Sequence, residues 1–211
     1  MEYLPLQHFD LSRVKEDSVC IITGKRATGK TSLVKTLMRN RNGPYYRMIV
    51  GDDYEYSELG AKNALLTNEY FPNIPQIVKS RQVDLCREGQ SSVLVLDDCI
   101  FRKEDFFHKD MLYLFENHQN LRLQIIIAMG YPMEIPPRAI YCVDYVFIFG
   151  RNSNSTIAKL YEQYGSAFES LEHFQQILDL VQDRYDALVI DNTTPSSRIE
   201  DIVFYLPKAQ P

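Results

Sequence analysis

"GKRATGKTS", residues Gly24 to Ser32, follows directly on the apolar run "SVCIIT" (Ser18 to Thr23) and leads into "TSLVKTLMRN" (Thr31 to Asn40). The run before it is β-branched and of strand length. The run after it has helical character and is stopped by "RNGP" at Arg41 to Pro44. Gly24, Gly29, Lys30 and Thr31 occupy every fixed position of G-x-x-x-x-G-K-[ST]. A loop that wraps phosphate oxygens closely needs backbone that a Cβ would obstruct, which is why glycine recurs in it. The segment Gly24, Lys25, Arg26, Ala27, Thr28, Gly29, Lys30, Thr31 and Ser32 is therefore expected to turn its N–H groups, and the start of the following helix, toward a polyphosphate. Lys30 would neutralise β- and γ-phosphate charge, and the Thr31 hydroxyl would ligate Mg2+.

Further along, "YRMIVGDD" (Tyr46 to Asp53) reads as a second strand, residues 54 to 75 carry only a weak pattern, and a helix is expected from about Gln76 to Arg87. "SSVLVLDDC" (Ser91 to Cys99) is a strand that runs into two acids. A bound triphosphate needs its metal held and an attacking water oriented. Asp97 is expected to hold the metal through its water shell, and Asp98 to position that water or take its proton. Asp52-Asp53 also follows a strand-like run. That run is shorter and interrupted by Gly51, so this pair reads as a turn.

From Glu104 to His118, the positions Phe107, Met111, Leu114 and Phe115 fall on one helical face, with His118 on the same face as a hydrogen-bonded core residue. "LQIIIAMG" and "VDYVFIFG" are strands, separated by the proline-rich "YPMEIPP". A helix carrying Ile157, Leu160, Tyr161 and Tyr164 ends near Gly165, another carries Leu171, Phe174, Leu178 and Val181, and "YDALVID" is a last strand. Residues 192 to 211 are expected to be partly irregular. Apolar strands alternating with helices indicate an α/β fold, a mostly parallel sheet covered on both faces. Ligands in such sheets bind beyond the carboxyl ends of the strands, where the glycine loop and Asp97-Asp98 both fall. A single domain over residues 1 to 211 is expected, with a core of about 17 to 191.

Charge and composition narrow the function. A net charge of −5 and a pI near 5.4 argue against a broad nucleic-acid-binding basic surface, yet leave room for a few residues lining the hole of a ring. No apolar run approaches the roughly 18 to 20 residues that cross a bilayer, so no membrane span is expected. The start "MEYLPLQHFD" lacks a basic flank and an apolar stretch, so it does not read as a secretion signal. Cys20, Cys86, Cys99 and Cys142 are scattered, as reduced thiols of an intracellular protein would be. His8, His108 and His173 have no metal spacing, and zinc is not expected. No D-x-x-G follows the acids and no N-K-x-D occurs, which disfavours a GTPase.

"GKRATGKTSL", "VLVLDDC", "ENHQNLRLQIIIAMGYPMEIPP" and "VDYVFIFGRNSNSTIAKLYEQYG" together resemble the genome-packaging ATPases of large double-stranded DNA viruses, the poxvirus-type branch of the FtsK–HerA superfamily. The likeness covers roughly residues 17 to 191. It implies a RecA-like P-loop NTPase of the ASCE type that hydrolyses ATP with Mg2+. It also implies a homo-oligomeric ring, a double-stranded DNA substrate, and a capsid or its packaging vertex as partner. The setting would be the host-cell cytoplasm, a virus assembly site or the virion. A ring motor needs an arginine from the neighbouring subunit to stabilise charge on the transferred phosphoryl group. Arg138 and Arg151 are the candidates, Arg138 lying a residue or two before the family's own. Two positions depart from the family: Ala128-Met129-Gly130 where it usually carries a Gln, and Asn117-His118 where it usually reads Arg-His. Two other classes stay open on the residues alone, a small P-loop kinase and a nucleotide-gated assembly protein with slow hydrolysis.

Overall fold

The computed structural model describes residues 6–207 except 43, 58–63, 68, 100–101, 151, 182, 184 and 197, with backbone alone at 53 and 64–66. Among these, nine strands form one sheet: β1 (Gln7–His8), β2 (Val19–Thr23), β3 (Tyr45–Val50), β4 (Ala64–Thr67), β5 (Ser91–Asp97), β6 (Leu123–Met129), β7 (Tyr145–Phe149), β8 (Ala187–Asp191) and β9 (Val203–Leu206). Their order is β1-β9-β8-β7-β2-β6-β5-β3-β4. All neighbours are parallel except β7–β8 and β8–β9, so β8 alone runs against the rest. Strand β6 lies between β2 and β5, which is the arrangement of a P-loop ATPase with an added central strand.

Alternate residues of each strand face opposite layers, and both layers are apolar. On one face Ile21, Ile127, Leu96 and Val50 pack under α3 (Ile74–Arg87), α5 (Lys109–Asn117), α7 (Asn154–Tyr164) and α8 (Leu171–Leu180). On the other, Ile22, Ile126, Val95 and Phe147 pack under α1 (Lys30–Arg39), through Leu33, Val34, Leu37 and Met38. Each such side chain, fully buried, stabilises the fold by about 1.5–3 kcal/mol relative to exposure. Both faces are thus covered, as the continuous apolar strands require. The remaining helices are single turns: α2 (Asp53–Tyr56), α4 (Lys103–Phe106), α6 (Pro137–Ile140) and α9 (Ile199–Ile202).

Three differences from the sequence reading have physical causes. The helix expected from Glu104 to His118 is two, α4 and α5, broken at Phe107–His108; the Nδ1 of His108 accepts from the Asp110 N–H and starts α5. The break lets Phe106 rather than Phe107 enter the core, edge-on to Phe115 at 6.5 Å, while Phe107 is left exposed. Residues 54 to 75, where the pattern is weak, hold β4 and all of α2 but its first residue. Val203–Leu206, within the stretch expected to be partly irregular, forms β9, held between β8 and β1. The helix over Ile157 to Tyr164 does end at Gly165, whose N–H donates to the Tyr161 carbonyl.

Candidate nucleotide-binding site

The loop after β2 lies between the ends of β6 and β7, because β2 pairs with both. Gly24 passes too close to its neighbours for any side chain: a Cβ there would lie 2.7 Å from Phe149 Cβ and 2.9 Å from Thr28 Oγ1. Gly29 adopts φ 103°, a left-handed conformation that L side chains rarely take, and starts α1 with no side-chain cap. Ala27 is also left-handed at φ 59°. Within the loop the Thr28 hydroxyl donates to the Lys25 carbonyl at 2.9 Å. An uncapped helix start leaves its first N–H groups without intrahelical partners, and they face the concave side of such a loop. Lys25, Arg26, Ala27 and Ser32 are exposed, whereas Thr28 and Lys30 are buried.

Across the end of β6 stand Asp97, the last residue of β5, and Asp98, which follows it. The Thr31 hydroxyl donates to Asp97 Oδ2 at 2.8 Å. Lys30 Nζ lies 3.3 Å from Asp98 Oδ2 and donates to the Lys25 carbonyl at 3.3 Å. Its side chain is only 3% exposed, so a buried ammonium is balanced by the half-exposed Asp98. Asp98 itself sits at φ 44°, with its N–H donating to the Ala128 carbonyl at 3.0 Å. That conformation is costly for a residue with a side chain but better tolerated by Asp than by most. It departs from the extended backbone of β5 just where the lysine lies.

Asp97 carries the least satisfied group of the site. Both the Thr31 hydroxyl and the Tyr56 hydroxyl, the latter at 2.6 Å, donate to Oδ2, while the buried Oδ1 has no hydrogen-bond partner. Burial pushes this carboxyl above the usual range. Tyr56, Thr31 and Lys30 offset part of that, and neighbouring Asp98 adds to it. A buried acceptor without a partner costs about 1–3 kcal/mol. An orphaned carboxylate oxygen next to a threonine hydroxyl at the mouth of a glycine loop is a donor set that suits a hard divalent cation such as Mg2+. Burial and the same carboxylate push the Tyr56 phenol well above its ordinary value, so it stays a donor.

Lys30, Thr31, Asp97 and Asp98, read from separate motifs, thus meet within hydrogen-bonding or ion-pairing distance. Arg138 does not join them. It pairs through Nε and an NH2 group with Glu116 Oε1, at 2.8 and 2.7 Å, beside the residues that lead into β7. This is the opposite end of the strands from the glycine loop. Arg151 lies outside the described residues. At the end of β6, Met129 and Gly130 supply no side-chain amide; a Cβ on Gly130 would lie 3.7 Å from Asp98 Oδ1. Tyr56 was missed by the sequence reading because nothing in the periodicity around it separates a contact with Asp97 from an ordinary core tyrosine. His118, expected in the core, is buried. Its Nδ1 lies 2.6 Å from the Phe115 carbonyl, and its Nε2 lies 3.3 Å from Asp144 Oδ2, close enough for a charge pair but off the line of a hydrogen bond.

No protein-family model matches the chain. It is 25% identical to the uncharacterized protein L437 of Acanthamoeba polyphaga mimivirus over 95% of this chain and 76% of that protein. It is 28% identical to the uncharacterized protein 088R of Invertebrate iridescent virus 3 over 89% of this chain and 74% of that one. Among solved structures it is similar to the genome-packaging NTPase B204 of Sulfolobus turreted icosahedral virus 2, in complex with AMP, with a TM-score of 0.68 and 12% identity. That match covers 93% of this chain and all of B204. B204 has also been solved with AMPPCP and with ATP-γS. The resemblance to a viral packaging ATPase, drawn from the motifs, therefore holds in the fold, and the sequence relatives are proteins of large DNA viruses. No helix among the described residues is long and apolar enough to cross a membrane.

Proposed function

We propose that this chain is an ATP-hydrolysing motor that moves double-stranded DNA, packaging a viral genome into a preformed capsid as a homo-oligomeric ring. The observation that carries the reading is the meeting of Thr31 with Asp97 at 2.8 Å and of Lys30 with Asp98 at 3.3 Å, at the mouth of the glycine loop. In this reading the backbone from Gly24 to Ser32 binds the phosphates, and Lys30 leaves Asp98 to neutralise them. Thr31 and Asp97 hold Mg2+, which when bound supplies charge stabilisation to the transferring phosphoryl group. Asp98, freed from the lysine, accepts a proton from the attacking water. A cavity of about 390 Å³ lined by Gly150, Asn152, Ile157 and Gln175 begins one residue past Phe149, which offers room beside the loop for the nucleoside.

Arg138 can serve the transferred phosphoryl group only from a neighbouring subunit, since it lies far along the strands from its own loop, and Arg151 remains the other candidate. The bare end of β6 favours a second reading, a nucleotide-gated assembly protein with slow turnover. One experiment separates the readings: ATP hydrolysis by the full chain with and without linear duplex DNA, alongside a native mass measurement with bound nucleotide. A motor shows DNA-stimulated turnover and a ring mass. Slow turnover indifferent to DNA selects the assembly protein, and phosphate transfer to a small acceptor selects a kinase. Lys30→Ala is expected to abolish nucleotide binding or turnover, and unchanged binding and hydrolysis there would remove the site assignment itself.

A further inference from the structure

"VGDDYEY", Val50 to Tyr56, forms a small construction around one hydroxyl group. Gly51 follows the end of β3 and donates its N–H to the Thr67 carbonyl at 2.9 Å. A Cβ on Gly51 would lie 3.1 Å from Tyr56 Cε2 and 3.4 Å from Asp97 Cβ, so the absent side chain is what lets the ring lie against the acid. Asp52 Oδ1 accepts from the Tyr54 N–H at 2.9 Å and starts α2. The single turn of α2 brings Tyr56 back toward the sheet, where it is 3% exposed. Lys35 of α1 pairs with Glu55 at 2.8 Å, tying this turn to the helix that begins with Lys30 and Thr31. The Tyr56 hydroxyl then donates to Asp97 Oδ2 at 2.6 Å.

We propose that Tyr56 is a positioning residue for the metal: its hydroxyl fixes the rotation of the Asp97 carboxylate so that Oδ1 is presented to the divalent cation of a bound nucleotide. The inference rests on the reading of Asp97 as a metal-holding residue. Two donors converge on Oδ2 and none reaches Oδ1, so the two oxygens are not equivalent. Without the phenol hydroxyl a single hydrogen bond from Thr31 remains, and the carboxylate gains freedom to turn about its last torsion. Partners that orient a ligating carboxylate typically matter by about 10–100-fold in metal affinity.

The test titrates MgCl2 into the full chain with a fluorescent derivative of AMPPCP, comparing wild type, Tyr56→Phe, Gly51→Ala and Asp97→Asn, with a thermal melt of each. Tyr56→Phe keeps the ring and is expected to raise the half-saturating Mg2+ by about 10-fold or more, leaving affinity for the metal-free analogue unchanged. Gly51→Ala keeps the hydroxyl but crowds the ring, and is expected to shift the Mg2+ requirement in the same direction. It also decides the matter if Tyr56→Phe does not fold. A role in packing alone would lower the melting temperature and leave the Mg2+ requirement of the folded variants at the wild-type value, which overturns the proposal. If Asp97→Asn loses the Mg2+ dependence while Tyr56→Phe keeps it, only the role of Tyr56 fails. If Asp97→Asn itself responds to Mg2+ as wild type does, the premise fails with it.

Discussion

Asp52-Asp53 and Asp97-Asp98 each follow an apolar strand, and those strands, β3 and β5, lie side by side and parallel. Asp52 turns back on its own chain and caps α2 through the Tyr54 N–H. Asp97 instead reaches another part of the chain, accepting from Thr31, sixty-six residues away, and from Tyr56. The chemistry of the two residues is the same. What differs is position: β5 is one strand from β2, with only β6 between, while β3 is a strand further out. An acid at the end of β5 therefore falls opposite the glycine loop, and one at the end of β3 does not. The outer pair then acquires a different use, because α2 carries Tyr56 in to meet the inner pair.

The largest effect is expected at the inner pair. Asp98→Asn is expected to lower ATP hydrolysis by about 100-fold or more while leaving ATP binding intact, measured by single-turnover rates beside equilibrium binding. Full turnover would move the proton-accepting role elsewhere.

A second change sharpens the contrast through stability. Burial, above all, raises the Asp97 carboxyl in the fold, so the nucleotide-free fold favours its protonated form more than the unfolded chain does. Stability is then fullest below the ordinary carboxylate range near 4 and declines as pH rises through the raised folded value. Asp97→Asn removes that charge and is expected to raise the melting temperature of the nucleotide-free protein at pH 8. A gain of about 1 kcal/mol reads as about 2–4 °C in a chain of this size. The difference from wild type should vanish at low pH. A variant less stable than wild type at pH 8 would show that the carboxylate is not strained by its surroundings.

At the outer pair the expected effect on the site is the smallest, and the effect on stability is of similar size and opposite sign. Asp52→Ala removes a helix cap, which costs about 1 kcal/mol and should lower the melting temperature by about 2–4 °C. Its Mg2+ requirement should shift less than that of Tyr56→Phe, because the phenol hydroxyl is retained on a loosened turn. A large loss of hydrolysis with no change in melting would show that Asp52 acts at the site directly.

Much of this site is readable in one dimension because its parts are contiguous. Gly24 to Thr31 form one covalent stretch whose spacing already matches G-x-x-x-x-G-K-[ST], and the apolar strand and helix on either side are local patterns as well. Other features depend on contacts between distant segments and leave no local trace. Phe106 and Phe107 are adjacent and equally apolar, and the capping nitrogen of His108 decides which one enters the core. Val203–Leu206 is short and follows the single turn of α9 without a break at Ile202, and becomes a strand because β8 and β1 lie ready on either side. Nothing about "YEY" marks its second tyrosine as a partner of an aspartate forty-one residues on.

The glycine loop with its phosphate-loop spacing, the alternation of strand and helix and the two acids at a strand end were all legible in the amino-acid sequence, since each rests on steric and periodic rules acting over a few residues. The direction of β8 and the meeting of the Tyr56 hydroxyl with Asp97 came from the tertiary structure alone. Those outcomes depend on the order in which strands associate, and that order is set by apolar faces that meet only once the chain has folded.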